Sequence, residues 1–96
     1  MSSIEQAINL VKSAIEALDG ELSSSPDPRL ANVPKVQKEA FKQKLQKMYN
    51  ALNSGSLPEK SQRNLGLSRA IADSWPLDSK LAEEIARAER AFIEAK

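Results

Sequence analysis

The stretch Phe41–Glu59 constrains the fold of this 96-residue chain most, because one helix pattern ends and another begins inside it. Apolar residues recur there at intervals of four, three and four, with Tyr49 beside them, which places them on one helical face: Phe41, Leu45, Met48 and Leu52. Asn53–Gly55 then supplies residues that tolerate left-handed backbone at a helix end. Ser56–Glu59 has the form of a capping box with proline in the first turn. Two helices joined by about four residues favour antiparallel neighbours.

The remaining patterns extend this pair to an all-α, antiparallel bundle of four helices in a single domain, residues 1–96. The predicted bounds are about 4–19, 34–53, 57–73 and 77–95. Asp19-Gly20 is the expected end of the first helix, Gly66 falls inside the third, and Asp73 or Ser74 is the expected cap of the fourth. The proline-rich and serine-rich residues 21–34 form the predicted connector, with a short fifth helix there as the alternative.

The composition excludes most kinds of enzyme. The chain has no cysteine and no histidine, which removes disulfides, thiolate zinc sites, cysteine nucleophiles and the commonest general base. No glycine-rich phosphate loop, calcium loop or serine triad can be assembled from the residues that are present. We therefore expect a non-enzymatic protein with no metal and no cofactor.

The charge and hydropathy of the sequence limit which partners and which cellular compartment we expect. The formal net charge is only +1, which gives no generic attraction to polyanions. A helix pattern follows Met1–Ser3 at once and no apolar run approaches membrane-spanning length, so we expect neither a signal peptide nor a transmembrane segment. A cytoplasmic or nuclear location is the resulting prediction.

The second helix has a lysine-rich face, which we expect on its outer surface: Lys35, Lys38, Lys42, Lys44 and Lys47. One interpretation is contact with phosphates or an acidic partner. The favoured interpretation is a solvated surface, because the face lacks the arginines and aromatic residues that bind phosphates bidentately or stack on bases. An intramolecular alternative to an external partner is the acidic face of the first helix, which carries Glu5, Lys12, Glu16 and Asp19.

Four residues are candidates for contact with a partner: Lys38, Lys42, Tyr49 and Trp75. A tryptophan beside a proline between two helices can anchor a partner, as tryptophans at interfaces often do. The favoured interpretation is structural: Trp75 closes one end of the bundle, with its indole nitrogen directed at solvent or at a carbonyl.

Part of the chain resembles the carboxy-terminal helical domain shared by two proteins. The resemblance covers Val33–Pro34 and, after it, KLQKMYNALNSGSLPEKSQRNLGLSRAI at Lys44–Ile71. The two proteins are the outer-coat scaffold subunit of the COPII vesicle coat and the steroid receptor RNA activator protein. The matching motif positions are Leu45, Met48, Tyr49, Leu52, Asn53, Gly55 and Leu57. Family members end in a further helix that carries a tryptophan, and residues Ala88–Lys96 stand in its place without one.

The resemblance implies a protein–protein interaction module that takes part in COPII coat assembly and ER-to-Golgi transport, with a coat subunit or a peptide as partner. It also implies a location at the cytoplasmic surface of the ER membrane. The first alternative is a nucleic-acid-associated helical protein, a transcription coregulator or RNA binder, which uses the lysine-rich face. The second is a subunit that is stable only when it is paired within a larger complex.

Overall fold

The computed structural model describes residues 4–23, 28, 33–63, 66–76 and 79–95. Within these ranges the chain forms four α-helices: α1 Ile4–Ser23, α2 Lys35–Ser54, α3 Leu67–Ser74 and α4 Lys80–Glu94. Lys60–Gln62 forms a 3₁₀ turn between α2 and α3. The described residues include no β-strand. The predicted all-α helical bundle is therefore confirmed, while the antiparallel direction of its helices stays a prediction. The alternative fifth helix falls mostly on residues 24–27 and 29–32, outside the described ranges.

One hydrophobic cluster joins the helices, with α1 packed on both α2 and α4, and α3 packed on α4. The apolar stripes read from the sequence supply most of it, because residues three and four apart share a helix face. The largest fully buried apolar side chains come from all four helices: Val11, Leu18, Leu45, Met48, Leu67 and Ile85.

Helix α1 extends one turn beyond its predicted end, so the prediction of a stop at Asp19-Gly20 is wrong. Gly20 lies inside the helix, and Glu21 continues the buried stripe of Leu18. The Ser23 hydroxyl donates a hydrogen bond back to the Asp19 carbonyl. Packing of this last turn against α2 outweighs the local cost of a glycine, which is only about 1 kcal/mol.

The predicted helix start at Ser56–Glu59 is also wrong, although the preceding stop is confirmed: Gly55 adopts a left-handed conformation with φ 73°. The next α-helix begins at Leu67, and Gly66 precedes it with φ 79°. Glycine suits this position because its backbone is left-handed. A Cβ added there would meet nothing within 4 Å, so a neighbouring helix does not require the glycine. Neither a close helix approach nor an interior bend is its role.

Helix α4 begins later than the proline at position 76 suggests. Its cap is Ser79, whose Oγ accepts a hydrogen bond of 3.2 Å from the Ala82 N–H. Asp73 and Ser74 belong to α3 instead, and Trp75 ends that helix by donating its backbone N–H to the Ile71 carbonyl. The predicted cap was therefore wrong, because proline ends α3 without starting α4.

Candidate interaction surface

Trp75 lies in the interior, only 4% exposed. Its ring stacks on Phe41 of α2, with the ring centroids 5.5 Å apart and the planes inclined by 10°. The indole N–H donates a 3.1 Å hydrogen bond to Gln37 Oε1. These contacts match the structural interpretation of Trp75, which ties the end of α3 to α2. Its partner-binding role stays a prediction.

Lys38 is buried, and its assignment to the outer lysine-rich face is wrong. Its Nζ lies 2.8 Å from Glu21 Oε2, with both side chains less than 10% exposed. A buried ammonium is tolerated because a carboxylate at hydrogen-bond distance compensates for its lost hydration. The pair joins the last turn of α1 to the first turn of α2. Partner binding by Lys38 therefore remains a prediction that would require this pair to open.

Lys42 is half-buried and forms an ion pair with Asp19 of α1. Asp19 belongs to the acidic face of α1, so the intramolecular alternative raised by the sequence is observed for this lysine. With Lys38 and Lys42 both engaged by α1, two of the five lysines proposed for phosphate contact face a carboxylate of their own chain.

Tyr49 lies on an open groove of about 420 Å³ between α1 and α2. We define the Tyr49 groove by its six lining residues: Lys12, Ile15, Glu16, Gln46, Tyr49 and Asn50. Ile15 and Tyr49 are half-buried and give it an apolar floor, while its polar residues are exposed. The Lys42–Asp19 pair crosses between the two helices one turn beyond Gln46 and Glu16.

The polar ends of the Tyr49 groove make no hydrogen bond or ion pair within the part of the chain that the structure describes. This holds for the Lys12 ammonium, the Glu16 carboxylate, the Tyr49 hydroxyl and the side-chain amides of Gln46 and Asn50. The side chains of four of these residues are exposed: Lys12, Glu16, Gln46 and Asn50. The sequence identified Tyr49 alone, because only its position beside an apolar stripe distinguished it.

Glu89 of α4 is buried, at 2% exposure. Its two carboxylate oxygens accept hydrogen bonds from the first backbone N–H groups of α3, 3.0 Å from Leu67 N and 2.9 Å from Ser68 N. The first N–H groups of a helix have no partner inside the helix, and a carboxylate also suits the positive end of the helix dipole. Glu89 thus holds α3 on α4, a role that sequence analysis missed.

Arg63 contacts the carboxyl-terminal end of a helix, whereas Glu89 contacts an amino-terminal end. Its Nε donates to the Pro58 carbonyl at 2.7 Å, and its Nη1 donates to the carbonyls of Ile93 and Ala95 at the end of α4. The guanidinium satisfies carbonyls that have no partner within α4 and suits the negative end of its dipole. Arg63 thereby connects the segment that follows Gly55, including the 3₁₀ turn, to the end of α4.

A second open groove, of about 540 Å³, lies between α3 and α4 and contains three arginines. Two of them face carboxylates of their own helix: Arg87 Nη2 lies 2.7 Å from Glu83 Oε1, and Arg90 Nε lies 3.3 Å from Glu94 Oε1. Both pairs join residues four apart on the exposed side of α4, where each member neutralises the other. This groove is therefore less suited to an anionic ligand than its arginine content suggests.

Two further properties concern metals and membranes. Across the described ranges, no group of three or more acidic side chains is arranged to hold a metal ion. No helix there has both the length and the apolar character that a membrane span needs.

Comparison of the chain with protein-family models finds no match, and comparison with curated proteins finds none. The resemblance to the shared COPII and steroid receptor RNA activator domain therefore stays a prediction, based on the motif positions within Lys44–Ile71.

Proposed function

We propose that the chain is a non-catalytic protein–protein interaction module whose docking surface is the Tyr49 groove. The observation that carries the proposal is a half-buried apolar floor, Ile15 and Tyr49, surrounded by polar groups with no partner in the described structure. Protein interfaces combine an apolar centre with a polar rim, and tyrosine is enriched at their centres.

A protein partner fits this surface better than a nucleic acid does. Polyanion binding needs clustered cations that are free to reach phosphates, but α1 carboxylates engage Lys38 and Lys42. The groove itself contains one cation, Lys12, and one anion, Glu16, beside the two amides. Such a mixed surface favours a partner that offers both charges and neutral hydrogen-bonding groups.

The resemblance extends the proposal to COPII coat assembly at the cytoplasmic surface of the ER, with a coat subunit as partner. Three motif residues, Leu45, Met48 and Leu52, are buried, which is consistent with a fold-determining role. Tyr49 is the motif residue that reaches the groove. A shared docking mode would therefore use Tyr49, while the leucine positions maintain α2.

The experiment measures binding of the purified chain to purified COPII coat subunits, over a range of salt concentrations. Tyr49→Ala tests the groove, and Lys47→Ala, an exposed position on the same helix, is the matched control. Loss of a central interface tyrosine typically weakens binding by 2 kcal/mol or more, about thirtyfold. We expect Tyr49→Ala to show this loss and Lys47→Ala to bind like the parent.

Parallel measurements with single-stranded RNA and duplex DNA test the alternative. Phosphate contacts make affinity fall log-linearly with salt concentration, whereas an apolar groove responds weakly. Nucleic-acid binding with that steep salt dependence, and no binding of coat subunits, would replace the proposed function with the alternative. Coat-subunit binding that Tyr49→Ala leaves unchanged would place the docking surface elsewhere.

A further inference from the structure

We infer that the Tyr49 groove binds a second copy of the same chain, so that the protein forms a symmetric dimer through the groove face of α1 and α2. The inference deepens the proposed function, on which it rests, by naming a second occupant of the same surface besides a coat subunit. It starts from the charges of the groove, which are complementary to themselves.

Lys12 and Glu16 lie four residues apart on α1, about 6 Å along the helix axis, at the edge of the groove. Neither has an ion-pair partner in the described part of the chain. When two copies of α1 face each other across a two-fold axis, Lys12 of each copy lies opposite Glu16 of the other. The dimer then contains two Lys12–Glu16 ion pairs, because in a two-fold interface each contact occurs twice.

The groups near the same axis are also suited to self-association. Ile15 and Tyr49 are half-buried, so they present apolar surface that a second copy would cover. The side-chain amides of Gln46 and Asn50 each donate and accept hydrogen bonds, so like can pair with like. A strongly basic or strongly acidic partner would satisfy only one of the two groove charges, whereas a second copy satisfies both.

The expected dimer is weak. A face formed by parts of two helices is smaller than the roughly 1,200 Å² that stable complexes bury, and its charged contacts are exposed. We therefore expect a dissociation constant in the micromolar to millimolar range, and a monomer at low concentration.

The experiment is a charge-reversal series on the purified chain, followed by sedimentation velocity at protein concentrations up to about 1 mM. Lys12→Glu and Glu16→Lys each place like charges opposite one another in both halves of the dimer. We expect each variant to weaken self-association at least tenfold. The double variant, K12E/E16K, restores opposite charges at both contacts, so we expect association close to that of the parent.

A mixture of the two single variants gives a sharper result. One chain then carries two acids and the other two lysines, so a mixed pair has complementary charges at both contacts. We expect the mixture to associate more strongly than either variant does alone. The controls are Lys47→Glu and Glu59→Lys, the same reversals at exposed positions outside the groove. Circular dichroism of every variant verifies that its helices are intact.

A parent chain that stays monomeric at the highest concentration overturns the inference. So does a dimer that tolerates the single reversals, or a mixture that behaves like its separate components. Because these measurements use no other protein, their failure leaves the coat-subunit experiment to decide the proposed function independently. Coat-subunit binding that depends on Tyr49, by a chain that stays monomeric, would retain the proposed function and reject the second copy as partner.

Discussion

Two regions of this bundle differ in how their polar groups are placed: in one they are buried and paired, and in the other they are exposed. Four buried charges lie between its elements: Glu21, Lys38, Arg63 and Glu89. Each of them contacts a charge or a helix end through the hydrogen bonds described above. The polar groups of the Tyr49 groove are exposed and have no such partner in the described structure. One region therefore uses charge to hold helices together, and the other presents charge outward.

The difference teaches which charged residues to associate with function in a small helical bundle. A buried charge without a partner costs several kcal/mol, so a folded chain retains buried charges where they are compensated. An exposed charge costs little and contributes little to stability. Substitutions at the buried charges should therefore act mainly on folding, whereas substitutions in the groove should act mainly on association.

The largest effect is expected for Lys38→Met, which removes the ammonium 2.8 Å from the buried Glu21 carboxylate. Removing one member of a buried pair should lower the free energy of unfolding by about 3 kcal/mol. Urea denaturation monitored by circular dichroism measures this change. Lys47→Met, at an exposed position of α2, is the control and should unfold like the parent.

A second variant distinguishes a lost ion pair from poor packing at Lys38. Adding Glu21→Leu to Lys38→Met removes both charges, and an apolar pair of similar volume should recover most of the lost stability. A double variant as unstable as the single one would show that the charge of Glu21 was not the reason for the loss.

A smaller effect is expected for Glu89→Gln, which keeps the shape of the side chain and replaces one acceptor oxygen with a donor. One of the two α3 N–H groups then loses its acceptor, and the other keeps only a neutral one, which should cost about 2 kcal/mol. Hydrogen exchange should accelerate more at the backbone amides of Leu67 and Ser68 than at the amides of α1. Glu94→Gln, on the exposed side of α4, should leave these amides protected.

Arg63→Lys should cost about 1 kcal/mol, because lysine keeps the positive charge but cannot reach three carbonyls with one planar group. The loss should appear as a lower urea midpoint and as faster hydrogen exchange in residues 59–63. Arg69→Lys, at an exposed arginine of α3, provides the comparison. Equal midpoints for the two variants would contradict the role assigned to Arg63.

The smallest effect on stability is expected in the groove. Lys12→Ala and Glu16→Gln alter exposed side chains with no described partner, so the free energy of unfolding should change by less than about 0.5 kcal/mol. Self-association should nevertheless weaken, because each variant removes one charge from both contacts of the dimer. A large loss of stability in either variant would erase the distinction between the two regions.

The periodicity of the sequence predicted much of the fold. It also indicates that three of the charged residues are buried. Glu21, Lys38 and Glu89 occupy positions on the same faces as their buried apolar neighbours, such as Leu18, Phe41 and Ile85. A charged residue within an apolar stripe therefore indicates a buried contact. Arg63 follows no periodic element, so its role at the end of α4 had no such signal.

The candidate site was predictable only in part. Tyr49 stood beside an apolar stripe and does line the groove, but its partners on α1 could not be deduced. Lys12, Ile15 and Glu16 become its neighbours through the packing of α1 on α2. Local spacing defines which residues share a helix face, but it does not define which two faces meet or how far they are shifted along one another.

The sequence by itself determined that this chain forms amphipathic helices, because the 3.6-residue period and the left-handed stop at Gly55 depend only on neighbouring residues. Tertiary structure decided where α1 ends, where α3 begins, and which charges are buried. Those outcomes depend on competition between local caps and distant contacts: the backbone groups at each helix end bind whichever partner the packed bundle places within hydrogen-bond distance.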